Sequence, residues 1–197
     1  MPFGQSPCLG SHLAHLGHKV IGRLRDERAN DTGSVTRREG DAELDAHMFR
    51  QALTQFATGI TIITTKNAEG KYVGVTANSF NSVSLHPPLV LWSLSKKASS
   101  HDAFAAATHY GVSVLSADQE DLSHHFSTFK GDRFAGVEVI EGLGGAPLIP
   151  HALAHFECKV RSRYDEGDHF IMVGEVLRCD FREGEALVYR SRKYFRN

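Results

Sequence analysis

Apolar residues first fall into a regular spacing at Met48. Met48, Phe49, Ala52, Leu53 and Phe56 recur with the 3.6-residue period of an amphipathic helix. Asp45 suits its N-cap and Gly59 its stop. The segment GITIITT that follows is β-branched and predicts a strand. KNAEGK (66–71) then reads as a hairpin turn. In YVGVTANSF the pattern alternates, with Val73, Val75 and Ala77 on one side and Tyr72, Gly74, Thr76 and Asn78 on the other. The first side predicts a core face. The second is small, polar and regular. His86-Pro87-Pro88 interrupts the ladder, since proline has no N–H to donate. LVLWSLS predicts a buried strand, and Ser99 or Ser100 caps a helix running through Phe104 and Ala107. A strand over 109–115 precedes a short helix capped by Asp118, with Leu122 and Phe126 on one side. The Gly- and Pro-rich stretch 130–150 reads as a long loop, and strand-like runs at 152–164, 169–180 and 186–190 close the chain.

These runs amount to about seven strands and three short helices, several strands being joined by hairpins. A parallel doubly wound sheet needs a regular strand–helix alternation, which is missing. The expected fold is mainly β with some helix (α+β): a small closed or split β-barrel with Greek-key-like antiparallel connections and short peripheral helices. Residues 1–43 carry no sustained hydrophobic period and predict a polar, flexible arm. Residues 44–197 form the barrel domain.

Composition narrows the function classes. The formal net charge is −1, which gives no basic footprint for nucleic acid or a membrane surface. Apolar runs are too short to span a bilayer, and no secretory leader is evident. Cys8, Cys158 and Cys179 are odd in number and widely spaced. That pattern suits reduced thiols and a cytoplasmic location. His12, His15 and His18 would share a helix face, but no acidic or cysteine ligand accompanies them. They read as a polar stretch, and no metal site is expected.

Three constellations remain as candidate chemistry. Lys96-Lys97-Ala98-Ser99-Ser100 reads as an ordinary cap after a solvated lysine pair or as a phosphate cradle. Thr76-Ala77-Asn78-Ser79 reads as an exposed edge strand or as a bed for a planar heteroaromatic ring, which needs backbone donors and small residues. Gly167-Asp168-His169 places a histidine in an acidic turn, as a surface, pH-sensitive or catalytic group. Dinucleotide-binding, P-loop, paired-cysteine, zinc-protease and GxSxG motifs are all absent from the sequence.

Five blocks, in order, resemble the short-chain flavin reductases: FRQALTQFATGITIITT, GVTANSFNSVSLHPPLVLWSLS, FAAATHYGVSVLSADQEDLSHHF, DRFAGVE and YDEGDHFIMVGEV. These are the reductase components of two-component flavin-dependent monooxygenases. The resemblance covers about residues 47–195. It implies a split-barrel homodimer that binds FMN or FAD and draws hydride from NADH or NADPH. By this resemblance the isoalloxazine ring lies against Val75, Thr76, Ala77, Asn78 and Ser79, and Ser93, Leu94 and Ser95 pass the ribityl chain. Ser99, Ser100, His125 and Phe126 meet the phosphate, and His169 stands near the nicotinamide. Family members often carry arginine where this chain has Ser99 and His125, so Lys96 or Lys97 is the expected substitute charge. The implied activity is NAD(P)H:flavin oxidoreduction, supplying reduced flavin to a partner monooxygenase. The competing readings are a pyridoxamine-phosphate-oxidase-like flavin oxidase, a non-catalytic flavin carrier, and a barrel whose polar strand is merely exposed.

Overall fold

The computed structural model describes residues 44–196; the His12, His15 and His18 motif, Cys8 and the expected arm lie outside them. The first amphipathic stripe forms helix α1, Ala46–Leu53. Asp45 caps it, its carboxylate accepting the His47 N–H at 2.8 Å. The helix stops at Thr54, well before Gly59, because Thr58–Gly59 already forms a short strand, β1.

Strands β2 (Thr61–Lys66) and β3 (Tyr72–Ala77) make the expected hairpin. Strand β4 (Asn81–Leu85), which the interruption at His86 had concealed, turns into β5 (Pro88–Ser95). The prolines therefore sit in a hairpin turn at the sheet edge, where a missing N–H costs little. Helix α2 (His101–Ala106), strand β6 (His109–Val114) and helix α3 (Glu120–Thr128) follow. Asp118 is not the cap before α3. Ser116 starts a capping box over a 3-10 turn, Ala117–Gln119, and donates its hydroxyl to Asp118 at 2.5 Å. That bond holds the exposed Asp118 carboxyl below its usual range. The stretch expected as a loop contains the short pair β7 (Ile140–Glu141) and β8 (Pro147–Leu148). Long strands β9 (Ala154–Glu166) and β10 (His169–Phe181) form a hairpin, followed by β11 (Leu187–Arg190) and β12 (Lys193–Arg196).

Seven strands form one antiparallel sheet in the order β3-β2-β6-β9-β10-β5-β4. Its hydrogen bonding is open, with β3 and β4 as edges, yet the sheet curls on itself. Trp92 of β5 meets Tyr110 of β6 edge-on at 6.1 Å, although β9 and β10 lie between those strands in the sheet. Val73, Val75 and Ala77 of the edge strand β3 pack on the same interior cluster as Trp92. This is the split barrel.

Strand β2 is buried on both faces, which explains its unbroken apolar and β-branched run. Ile63 faces the barrel interior with Trp92, Phe104 and Met172. Ile62 faces a second cluster with Leu115, Phe126 and Leu187. Burial in the interior pushes the Cys158 thiol up from its ordinary 9.0 to about 12, and the Tyr110 phenol is raised for the same reason. Among the described residues no helix is long and apolar enough to cross a membrane, and no cluster of metal-ligating side chains occurs.

Candidate functional site

Strand β3 ends at the sheet edge, and the short link to β4 is anchored by one side chain. The Ser79 hydroxyl donates to the Ser93 carbonyl at 3.2 Å and accepts the Ser93 N–H at 3.0 Å. This bond draws the end of β3 against β5 and shapes a cavity of about 250 Å³ between them. Val75, Thr76, Ala77, Asn78 and Ser79 line one side of it. Ser93, Leu94 and Ser95 line another, with the indole of Trp92 at the base. Leu94 turns its side chain into the core, so it offers backbone only. His169 closes the cavity, because the β5–β10 register sets it directly opposite Ser95.

His169 sits beside a fixed charge. Its Nδ1 lies 2.6 Å from Asp168 Oδ1. The hydrogen bond His169 donates, together with its charge, keeps the exposed Asp168 carboxyl below the usual carboxylate range. Nδ1 is thereby committed, and Nε2 is the ring atom left for a ligand. Lys96 lines neither this cavity nor the one beside it. Its ammonium contacts Asp165 and donates to the Gly167 carbonyl at 2.7 Å, tying the acidic turn to the end of β5. Lys97 stays exposed.

Ser99 and Ser100 open onto a second cavity of about 590 Å³ rather than the first. The two adjoin, since Gly74 and Val75 are neighbours in β3 and Ala98 and Ser99 are neighbours in the turn. Ser100 begins α2 without making a side-chain cap, and its buried hydroxyl has no hydrogen-bond partner among the described residues. An orphaned buried hydroxyl on a cavity wall is costly without a ligand and fits a phosphate oxygen. Arg133 supplies the charge there. It is held in place by donating to Gly74 O and to Phe129 O, each at 3.0 Å.

Two expected phosphate contacts fall elsewhere. Phe126 is wholly buried, and its ring lies against Gly74, where an added Cβ would come within 2.7 Å of it. Gly74 is therefore small to admit α3, not to make room for a ring. His125 lines neither cavity; its Nε2 lies 2.8 Å from the Arg133 carbonyl and its ring stacks on Phe129. It supports the segment that carries Arg133. Thr76 likewise spends its hydroxyl on the Ser123 carbonyl at 2.7 Å, leaving its backbone for the cavity. Arg133 was concealed in the Gly-rich stretch read as a loop. Its signal was a cation set beside Phe134 within the DRFAGVE block.

A curled antiparallel sheet with a ring-sized cavity at one edge and a phosphate-suited cavity beside it defines a nucleotide-cofactor-binding split barrel. The chain belongs to the flavin reductase like domain family, whose model matches residues 53–197. It is 48% identical over 145 residues to the FMN reductase (NADH) SmoA of Agrobacterium fabrum, covering 74% of this chain and 82% of that protein. It is 41% identical over 135 residues to the flavin-dependent monooxygenase reductase subunit HsaB of Mycobacterium tuberculosis, covering 68% and 72%. Among solved structures it resembles the Streptomyces globisporus NADH:FAD oxidoreductase in complex with NAD and FAD fragments. The TM-score is 0.73 at 38% identity, covering 79% of this chain and 97% of that one.

Proposed function

We propose that the protein is an NAD(P)H-dependent flavin reductase that supplies reduced FMN or FAD to a partner flavin-dependent monooxygenase, with NADH as the donor. The observation that carries this reading is the single cavity bounded by Val75–Ser79, Ser93–Ser95 and His169. Its relatives, named as NADH-dependent flavin reductases and a monooxygenase reductase subunit, support the same assignment.

The residues fit a flavin. The cavity at the β3 edge suits a flat ring, and the unpaired Ser100 hydroxyl with Arg133 suits the phosphate. When bound, the flavin accepts hydride from the reduced nicotinamide, so the chain needs no acid or base for that transfer. Its work is alignment. The backbone of Val75–Ser79 offers donors to the ring edge, and the Ser79–Ser93 bonds keep that wall fixed. Ser93 and Ser95 line the path toward Ser99 and Ser100. His169, held by Asp168, offers Nε2 to the nicotinamide carboxamide and sets its approach.

The active unit is a homodimer. Leu44, Met48, Phe49, Leu53 and Phe56 stand between 49% and 75% exposed around α1, an apolar stripe that a second copy would cover. The free thiols Cys158 and Cys179 suit a reducing, cytoplasmic setting. The test of the activity is NADH consumption on adding FMN to the full chain in air. Steady turnover supports a reductase, whereas flavin binding without turnover identifies a carrier.

A further inference from the structure

The β9–β10 hairpin outruns the sheet on one side. Strand β6 pairs with β9 only as far as Lys159, and the last bond there runs from the Val160 N–H to the Thr108 carbonyl at 2.9 Å. Residues 161–166 have a strand partner on one side alone, and such edges open most readily. The turn beyond them is two residues, Gly167-Asp168, with Gly167 at a φ of 59°, which glycine adopts at no steric cost. His169 comes next, so its place at the ring cavity depends on how this turn is held. Lys96 holds it. The Lys96 N–H donates to the Asp168 carbonyl at 3.0 Å and its ammonium to the Gly167 carbonyl at 2.7 Å, with Asp165 as counter-ion. The ammonium also lies 5.2 Å from the ring centroid of Phe170, the residue after His169. Among the described residues, every hydrogen bond from 165–168 to a residue outside the hairpin is made with Lys96.

On the flavin reading given above, we infer that Lys96 is a positioning residue for hydride transfer. It fixes the 165–168 turn and thereby sets His169 at the ring cavity, without lining that cavity itself. The contacts run in one chain: Lys96 holds the Gly167 and Asp168 carbonyls, and the Asp168 carboxylate holds His169 Nδ1. Asp165 is 66% exposed, so its ion pair with Lys96 adds little to stability. Its consequence is geometric. A neutral side chain of similar length would lose Asp165 and leave the Gly167 carbonyl to water. The turn would then be tied to β5 by backbone bonds alone, and His169 would spend less time facing the nicotinamide. The wall made by Val75–Ser79 has no contact with this turn through Lys96, so flavin binding would not change.

Lys96→Met removes the charge and keeps an apolar stem over Phe170. In the flavin-free chain, amide hydrogen exchange should quicken in 164–170 and stay unchanged in β2 and β6. Trp92, the sole tryptophan of the chain, lines the ring cavity, so quenching of its fluorescence reads FMN affinity. That affinity should not move. Reduction of the bound flavin by NADH, followed by anaerobic stopped flow, should slow or need more NADH by about tenfold, for one lost charged hydrogen bond. Lys96→Arg keeps a charged donor and should recover reduction to within about threefold of wild type. Because Lys96 acts through His169, Lys96→Met combined with His169→Ala should be no slower than His169→Ala alone. Unchanged exchange and reduction in Lys96→Met would overturn the positioning role and leave the flavin reading standing. So would losses that multiply in the double variant, or an FMN affinity that falls in step with reduction. A wild-type chain whose bound flavin NADH does not reduce would overturn both.

Discussion

Ser99 and Ser100 illustrate how much a single side chain's hydrogen-bond account can say. Ser100 has a hydroxyl that is buried, makes no cap and finds no partner among the described residues. Replacing both serines with alanine should weaken FMN by about 1–3 kcal/mol, the usual loss for charged hydrogen bonds. Riboflavin should bind as before; equal losses for both flavins in a titration would assign the serines to local structure alone. On the proposed reading His169 serves the nicotinamide side. His169→Ala should raise the KM for NADH or slow hydride transfer by about tenfold while FMN affinity stays put. Weakened flavin with unchanged reduction kinetics would move His169 into the flavin bed. Cys158 makes a pH prediction. Its folded pKa, about 12, lies above the ordinary 9.0 because of burial, so the folded chain keeps a proton that the unfolded chain releases. Its share of stability is therefore complete below pH 9.0 and is lost as pH rises from there toward about 12. Denaturant melts should show stability falling as pH rises above 9.0, and Cys158→Ala should remove the part of that decline below pH 10.0, where the buried Tyr110 phenol does not yet add its own. At this scale the TANS block and the Gly-Asp-His turn were legible because small polar residues stood where a core strand would place large ones. Arg133 was not, since its role comes from Gly74 and Phe129, which are distant or unremarkable in sequence.

Period and turn chemistry revealed most of the elements and said little about their pairing. Strand β2 read as a strand from its β-branched run, and α1 from its stripe and Asp45 cap. The β4–β5 hairpin was hidden because Asn81–Leu85 is short and exposed, and its alternation of Val83 and Leu85 with Ser82 and Ser84 runs straight into two prolines. The polar side of β3 was read as an exposed edge or as a bed for a ring. Thr76, Ala77, Asn78 and Ser79 line the cavity that forms where the strand reaches its free edge and bends toward β5, while Gly74 and the Thr76 hydroxyl face α3. Gly174 shows the same dependence on tertiary contact: a Cβ there would lie 2.2 Å from the Tyr110 hydroxyl across the barrel interior. Gly174→Ala should destabilise the fold by about 1–3 kcal/mol through overpacking. Thermal melting would register it, and an unchanged Tm would mean that Tyr110 moves aside freely.

For the whole molecule, the order of the seven-stranded sheet decides what comes together. The interior is filled by side chains from β2, β5 and β6, from the β9–β10 hairpin and from the edge strand β3, and the ring cavity lies where β3 approaches β5. The run of hairpin-joined strands pointed to a small barrel beforehand, and the resemblance to a family pointed to the split form. The uncovered stripe around α1 predicts a dimer in sedimentation at micromolar concentration. Leu53→Asp, at a position 58% exposed in the single chain, should shift it toward monomer without unfolding it. A wild-type monomer would remove the second copy from the account. The central claim is that the cavity joining Val75–Ser79 to His169 aligns a nicotinamide with a flavin. Anaerobic stopped-flow mixing of the FMN-loaded protein with NADH tests it most directly. The account predicts rapid loss of the oxidised flavin's visible absorbance, slowed in His169→Ala and accompanied by stoichiometric NADH oxidation. Flavin that binds, quenches Trp92 and keeps its oxidised spectrum in the presence of NADH would contradict it.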